Sequence, residues 1–265
     1  STQVGKIVMK AAAEHLTPVV LELGGKSPAI IDKTANVGAS ANRIAWGKTL
    51  NAGQTCIAPD YLLVHEEVKD ELLKEISSAL KKMYGEDISG SKFYGRIVHE
   101  KAWDRLHGLL EGEKIVIGGT ANKKDLYIEP TVIDEVKKDS PLMQEEIFGP
   151  LLPIITFRKI EEATAFINEG AKPLALYFFG DSENANEVLK KTSSGGVCVN
   201  DTLMHITNHN LPFGGVGDSG MGSYHGRDSF LAFSHKRSVL KTPTWIDVTF
   251  KYAPYKYFKF VKKFI

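Results

Sequence analysis

Short apolar runs alternate with longer amphipathic stretches along most of this chain, and no other feature restricts its fold as strongly. Residues 19–23, 29–31, 61–65, 154–157, 174–179 and 196–199 are strand-length and rich in Val, Ile, Leu and Phe. Residues 36–50, 66–83, 160–168 and 183–191 read as helices; in 66–83, Val68, Leu72, Leu73, Ile76 and Leu80 fall on one side. Strands separated by helices of this length predict an α/β fold with a parallel-type sheet flanked by helices. Residues 114–117 and 127–133 read as short strands around the loop 118–125. At 265 residues and 43% hydrophobic, the chain can bury a substantial core in one or two domains. It has no internal repeat and no low-complexity linker. Residues 196–225 are glycine-rich and predict a long functional loop.

Charge and cysteine content narrow the function. A net charge of +1 gives no electrostatic case for nucleic acid. Two cysteines make no disulfide framework, and an exposed reactive thiol favours a reducing compartment, hence the cytoplasm. There is no apolar run of 18 residues and no signal peptide. The chain starts at Ser1 without an initiator Met and reads as a fragment or processed product.

Two polar groups stand out against this background. Cys56 ends the segment Asn51-Ala52-Gly53-Gln54-Thr55-Cys56. A lone cysteine is usually a small buried hydrophobe, but Gly53, Gln54 and Thr55 are poor core formers and predict an exposed loop after a helix. Glu22 lies 34 residues upstream in Leu21-Glu22-Leu23-Gly24-Gly25-Lys26. It interrupts a buried-strand pattern, where a carboxylate is costly unless paired or functional. A thiolate can attack a carbonyl and a carboxylate can activate water. A free thiol is mostly protonated at neutral pH, so Cys56 is expected where its pKa can fall. Cys198, in an apolar run, reads as structural.

In order and spacing, the two motifs resemble the active-site signatures of aldehyde dehydrogenases. Glu145-Glu146-Ile147-Phe148-Gly149-Pro150 matches a third signature of that family. Asn200-Asp201-Thr202 and Leu211-Pro212-Phe213-Gly214-Gly215 match later ones. Residues 217–226 and 234–238 are similar to the class 3 branch, which includes the fatty and medium-chain enzymes. The resemblance implies oxidation of an aldehyde with NAD or NADP. Cys56 would add to the aldehyde, the thiohemiacetal would lose hydride, and Glu22 would activate water against the thioester. It implies that Glu146 holds the nicotinamide ribose hydroxyls and that Phe148 packs beside the nicotinamide. Ser1 would open a helix facing the pyrophosphate, and Asn200 and Phe213 would shape the substrate side. It also implies that residues 1–24 are the remnant of a cofactor-binding domain and that 25–228 form the catalytic domain. Residues 229–243 would be an oligomerisation strand pairing across a homodimer, and 244–265 a tail. A complete member carries a further upstream part, with an oxyanion asparagine and a lysine on the adenosine ribose. The chain alone is therefore expected to have little dehydrogenase activity. A silent assembly module and a cofactor-independent thiol esterase remain alternatives.

Other motifs carry less. The segment Gly215-Val216-Gly217-Asp218-Ser219-Gly220 fits a dinucleotide pattern but lacks a preceding strand, a following helix and a later acid. Its Gly217-Asp218-Ser219-Gly220 has no β-barrel protease context. His205 and His209 have helical zinc spacing without the accompanying Glu, so no metal site is expected. In residues 255–265, Lys256, Lys259 and Lys263 share a helical face among aromatics. Such a helix docks on the protein or makes weak peripheral contact with a membrane surface.

Overall fold

The computed structural model describes residues 1–247, 249–255 and 257–263. It divides into two compact units, Ser1–Phe233 and Ser234–Ile265. The domain boundary expected near residue 24 falls inside the first unit.

The first unit opens with α1 (Thr2–Ala13), followed by β1 (Leu21–Glu22), β2 (Pro28–Ile31) and α2 (Val37–Thr49). Strand β3 (Tyr61–His65) leads through a single 3₁₀ turn into α3 (Lys69–Tyr84) and then α4 (Glu100–Gly108). Strands β4 (Lys114–Ile117), β5 (Ala121–Asn122), β6 (Tyr127–Ile128) and β7 (Thr131–Asp134) follow, then the single turn α5 (Pro141–Gln144). Strand β8 (Leu151–Phe157), α6 (Ile160–Glu169), β9 (Ala175–Phe179), α7 (Ser182–Lys191) and β10 (Gly196–Val199) complete the alternation. Strand β11 (Gly220–Met221) and α8 (Gly226–Ala232) close the unit.

Seven strands form one sheet in the order β10-β9-β2-β3-β8-β7-β4, parallel throughout except for the antiparallel edge strand β4. The central strands are apolar on both faces because helices cover both, as parallel sheets require. Ala29, Ile31, Leu62, Val64, Tyr177 and Phe179 pack with α2 and α3 through Ala41, Ile44, Leu72 and Ile76. The alternate residues Ile30, Leu63, Leu176 and Phe178 pack with α6 and α7 through Ala163, Ile167, Ala185 and Val188. Each such side chain contributes roughly 1.5–3 kcal/mol by leaving water. Helix starts are set locally. The Asn36 side chain accepts from Ala39 N–H at 3.0 Å and Asp181 from Asn184 N–H at 2.8 Å, each satisfying a free first-turn amide.

Three expectations change. Residues 19–23 do not form a buried strand of the main sheet. Only Leu21 and Glu22 are in a strand, half-buried and antiparallel to Met221 and Gly220. Gly24 and Gly25, both with positive φ (85° and 138°), turn the chain before it enters β2. Residues 127–133 split into β6 and β7, because Pro130 between them has no N–H to give a ladder. Residues 229–232 of the expected oligomerisation strand are helical, in α8, and residues 233–243 pair with no described strand of the chain. The second unit holds a 3₁₀ turn at Thr249–Lys251 and the single helical turn α9 (Phe258–Val261). Lys256 of the expected basic face lies outside the described residues.

Candidate active site

Cys56 lies beyond the C-terminal end of α2, in a segment whose backbone is forced into an uncommon shape. Asn51, Ala52 and Gly53 have φ of 52°, 53° and 74°. Two consecutive non-glycine residues in this region cost of order 1–3 kcal/mol each and persist only where surroundings impose them. Gln54 supplies much of that constraint. Its Nε2 donates to the carbonyls of Asn51 (3.0 Å) and Arg96 (2.9 Å), and its Oε1 accepts from Val98 N–H at 2.9 Å. Gly53 is needed because a Cβ there would meet the Gly149 carbonyl.

Glu22 is delivered by a different element. Its pairing with Gly220, and the Leu23 N–H donated to Ser219 O at 3.0 Å, fix β1 against the glycine-rich segment. The two predicted groups meet here. The Cys56 thiol is pushed up to about 12, first by burial and then by the Glu22 carboxylate beside it, with Glu146 adding to the effect. The expectation of a lowered thiol pKa is therefore overturned: burial raises it, and the side-chain charges acting on Cys56 are carboxylates. Glu22 Oε1 is buried without a hydrogen-bond partner among the described residues. The Glu22 side chain also hydrogen-bonds the Cys56 thiol, and a carboxylate so placed against a protonated thiol is suited to proton transfer.

Glu146 adjoins both groups. Burial, then the negative charge of Asp60, raises its carboxyl to about 7, against the stabilising Gly25 N–H. Gly24 lets the backbone approach closely, since a Cβ there would lie 2.8 Å from Glu146 Oε2. Glu146 lines a cleft of about 700 Å³ shared with Ser1, Thr2, Gly24, Gly25 and Lys172. Ser1 is the N-cap of α1 without a capping side-chain bond, so first-turn amides of a 12-residue helix are free there. Phe148 is exposed with φ 49° and does not line this cleft.

Asn200 departs from its expected role. Its side-chain Oδ1 accepts from Gly180 N–H and its Nδ2 donates to Gly180 O, both at 2.9 Å, so its amide is committed to the end of β9. Phe213 is buried against Tyr224 and His225, and burial and then the Glu22 carboxylate push the Tyr224 phenol up. Cys198 is buried in β10, with Sγ 3.1 Å from His205 Nδ1. The residues missed from sequence are Lys48 and Asp60, two buried charges near Glu146, and the half-buried Lys26 that pairs with Asp60. Only the cost of burying a charge marks them, and burial is not visible in the sequence.

Comparison with known proteins gives the family of the chain. The family model described as the aldehyde dehydrogenase family matches residues 1–239. The chain belongs to the aldehyde dehydrogenase family. It is 52% identical to the 4,4'-diaponeurosporen-aldehyde dehydrogenase of Staphylococcus aureus, covering 100% of this chain and 58% of that protein. It is 52% identical to the dimeric NADP-preferring aldehyde dehydrogenase of Rattus norvegicus, covering 91% and 53%. The solved structure of the substrate-bound state of Staphylococcus aureus AldH superposes with a TM-score of 0.96 at 50% identity, covering 100% of this chain and 58% of that one. The chain thus spans a little over half the length of the relatives it matches.

Proposed function

We propose that this chain carries the catalytic part of an aldehyde dehydrogenase that oxidises an aldehyde to the acid with NAD or NADP. The observation that carries the reading is the Glu22 side chain bonded to the Cys56 thiol, with Glu22 Oε1 left buried without a partner and Glu146 interacting with both. Glu22 takes the thiol proton as Sγ adds to the aldehyde carbon, giving a tetrahedral thiohemiacetal on Cys56. The Cys56 backbone N–H would be one donor to the oxyanion, a contribution of the kind worth ~10²–10³ in rate. After oxidation leaves a thioester and Glu22 has passed the thiol proton to solvent, Glu22 takes a proton from the attacking water and returns it to the departing Cys56 sulfur as the acid leaves.

The residues present fit a nicotinamide dinucleotide. Glu146, raised to about 7, can both donate to and accept from a ribose diol, and the free amides opening α1 suit a pyrophosphate. When bound, that cofactor supplies the two-electron acceptor for the thiohemiacetal. Phe148 is exposed next to the Glu146 segment, although outside that cleft, and would pack beside the nicotinamide as the resemblance implies. The oxyanion asparagine and ribose lysine implied by the resemblance are not assigned to residues of this chain. We accordingly expect the dehydrogenase reaction to need the remaining length of its relatives.

The test separates the two halves. This chain should hydrolyse p-nitrophenyl acetate through Cys56 and Glu22, and the full-length protein should form NADH or NADPH from a medium-chain aldehyde. Cys56→Ala should abolish both. Aldehyde-dependent reduction that survives Cys56→Ala sinks the mechanism. Ester turnover without any dehydrogenase activity in the full-length protein favours the esterase reading instead.

Partner and location follow from the same proposal. A second copy would add a strand at residues 233–240, which pair with no described strand of their own chain. A reactive thiol suits the cytoplasm. No helix among the described residues is long and apolar enough to cross a membrane. The exposed Trp245, Tyr255 and Tyr257 with Lys259 would make at most a weak contact with an anionic bilayer surface. Co-sedimentation with anionic vesicles, lost after removal of residues 244–265, would measure it.

A further inference from the structure

Glu146 sits in a short segment that is held from both sides by one ion pair. Asp60, nearly buried, lies four residues beyond Cys56 on the loop entering β3. Its Oδ1 accepts the Ile147 N–H at 2.8 Å, and its Oδ2 pairs with Lys26 Nζ. The same ammonium donates to Glu145 O at 3.0 Å and to Leu142 O at 2.7 Å. Asp60 N–H in turn donates to Ser27 O at 2.8 Å, beside Lys26. The chain is therefore clamped immediately before and immediately after Glu146, and the clamp is built on the loop that carries the nucleophile.

We propose that Asp60 is the positioning residue for Glu146, fixing its segment through Lys26 and the Ile147 amide and so tying the cofactor carboxylate to the Cys56 loop. The proposal rests on the reading of Glu146 as the ribose carboxylate. Backbone anchoring alone is not the whole of it. Burial raises Glu146, Asp60 raises it further and Glu22 adds a smaller push in the same direction. Gly25 N–H opposes them. Lys48, buried within α2 and lowered to about 8 by that burial, interacts with Asp60, Glu146 and Lys26. Asp60 thus sets where Glu146 sits and how readily it ionises, and Lys26 moderates the charge of Asp60.

Opposite charge changes at the two ends of the clamp give it a signature that general loosening cannot imitate. The Glu146 carboxyl can be followed by ¹³C NMR in glutamate-labelled protein, assigned with Glu146→Gln and read without cofactor. The wild-type midpoint should lie near pH 7. Asp60→Asn removes a negative charge and should lower it by about one pH unit; Lys26→Met leaves Asp60 unmatched and should raise it. Lys26→Arg should restore the wild-type value, and Lys26→Met against Lys26→Arg still decides the matter if Asp60→Asn does not fold. Shifts of the same sign in both variants, or no shift in either, overturn the proposal. Calorimetric titration of the full-length protein with NAD⁺ and with NADP⁺ across the same pH range keeps the two readings apart. Midpoints that move as stated with neither dinucleotide bound by the full-length protein uphold the clamp and defeat the cofactor assignment.

Discussion

At the residue scale, Cys56 and Glu22 work against the usual logic of a catalytic thiol. The nucleophile is not held as a thiolate; burial and a neighbouring carboxylate keep it protonated, with a pKa near 12. Reactivity must then come from proton removal within the site, which is why the unpartnered Glu22 Oε1 matters. A pH prediction with a definite sign follows. Glu22→Gln removes the negative charge that raises the thiol pKa, so Cys56 should ionise more readily. Iodoacetamide labelling at pH 8 should speed up, by roughly tenfold for each unit of pKa lost. Hydrolysis of p-nitrophenyl acetate should fall by ~10²–10⁴ in the same variant, because its general base is gone. Slower labelling in Glu22→Gln would show that the carboxylate activates the thiol at rest.

At the element scale, the site depends on segments that break regular structure. Residues 50–56 leave α2 through three successive positive-φ residues, and Gln54 spends its whole amide holding them to Arg96 and Val98. Gly53→Ala adds a Cβ at φ 74° against the Gly149 carbonyl. It should cost about 1–3 kcal/mol in the urea midpoint and reduce Cys56-dependent ester turnover by displacing the thiol. Wild-type stability and turnover in Gly53→Ala would mean that the backbone shape is incidental. Leu72→Ala makes a useful contrast. Leu72 is fully buried in α3, so its truncation should cost about 2–5 kcal/mol while leaving turnover per folded molecule close to wild type.

At the scale of the whole molecule, the first unit holds the sheet and every group assigned to the site. The expected oligomerisation strand lies at its end and beyond it. A strand needs a partner to satisfy its amides, and none of the described strands of the same chain supplies one. Truncation after Phe233 should leave the thermal transition of the first unit within a few degrees of its original value. It should also shift the light-scattering mass from dimer to monomer. A truncated protein that stays dimeric would place the interface elsewhere.

The sequence by itself determined the alternation of strands and helices, because a parallel sheet covered on both faces leaves continuous apolar runs such as residues 29–31, 61–65 and 174–179. It also marked Cys56 and Glu22 through the residue types around them, and Glu146 through the resemblance of its segment to a family signature. It misjudged residues 19–23, because the glycines that turn β1 away from the main sheet act through backbone angles that an apolar pattern does not encode. It assigned Asn200 to the substrate side, where the fold uses its amide to finish β9. Only the tertiary structure decided that burial raises the Cys56 thiol and the Glu146 carboxyl, and that Asp60 and Lys26 hold the segment around Glu146. Those properties are set by burial and by charges brought together from residues 22, 26, 48, 60 and 146. Electrostatics depends on distance and on exclusion of water, which neighbours in sequence do not fix.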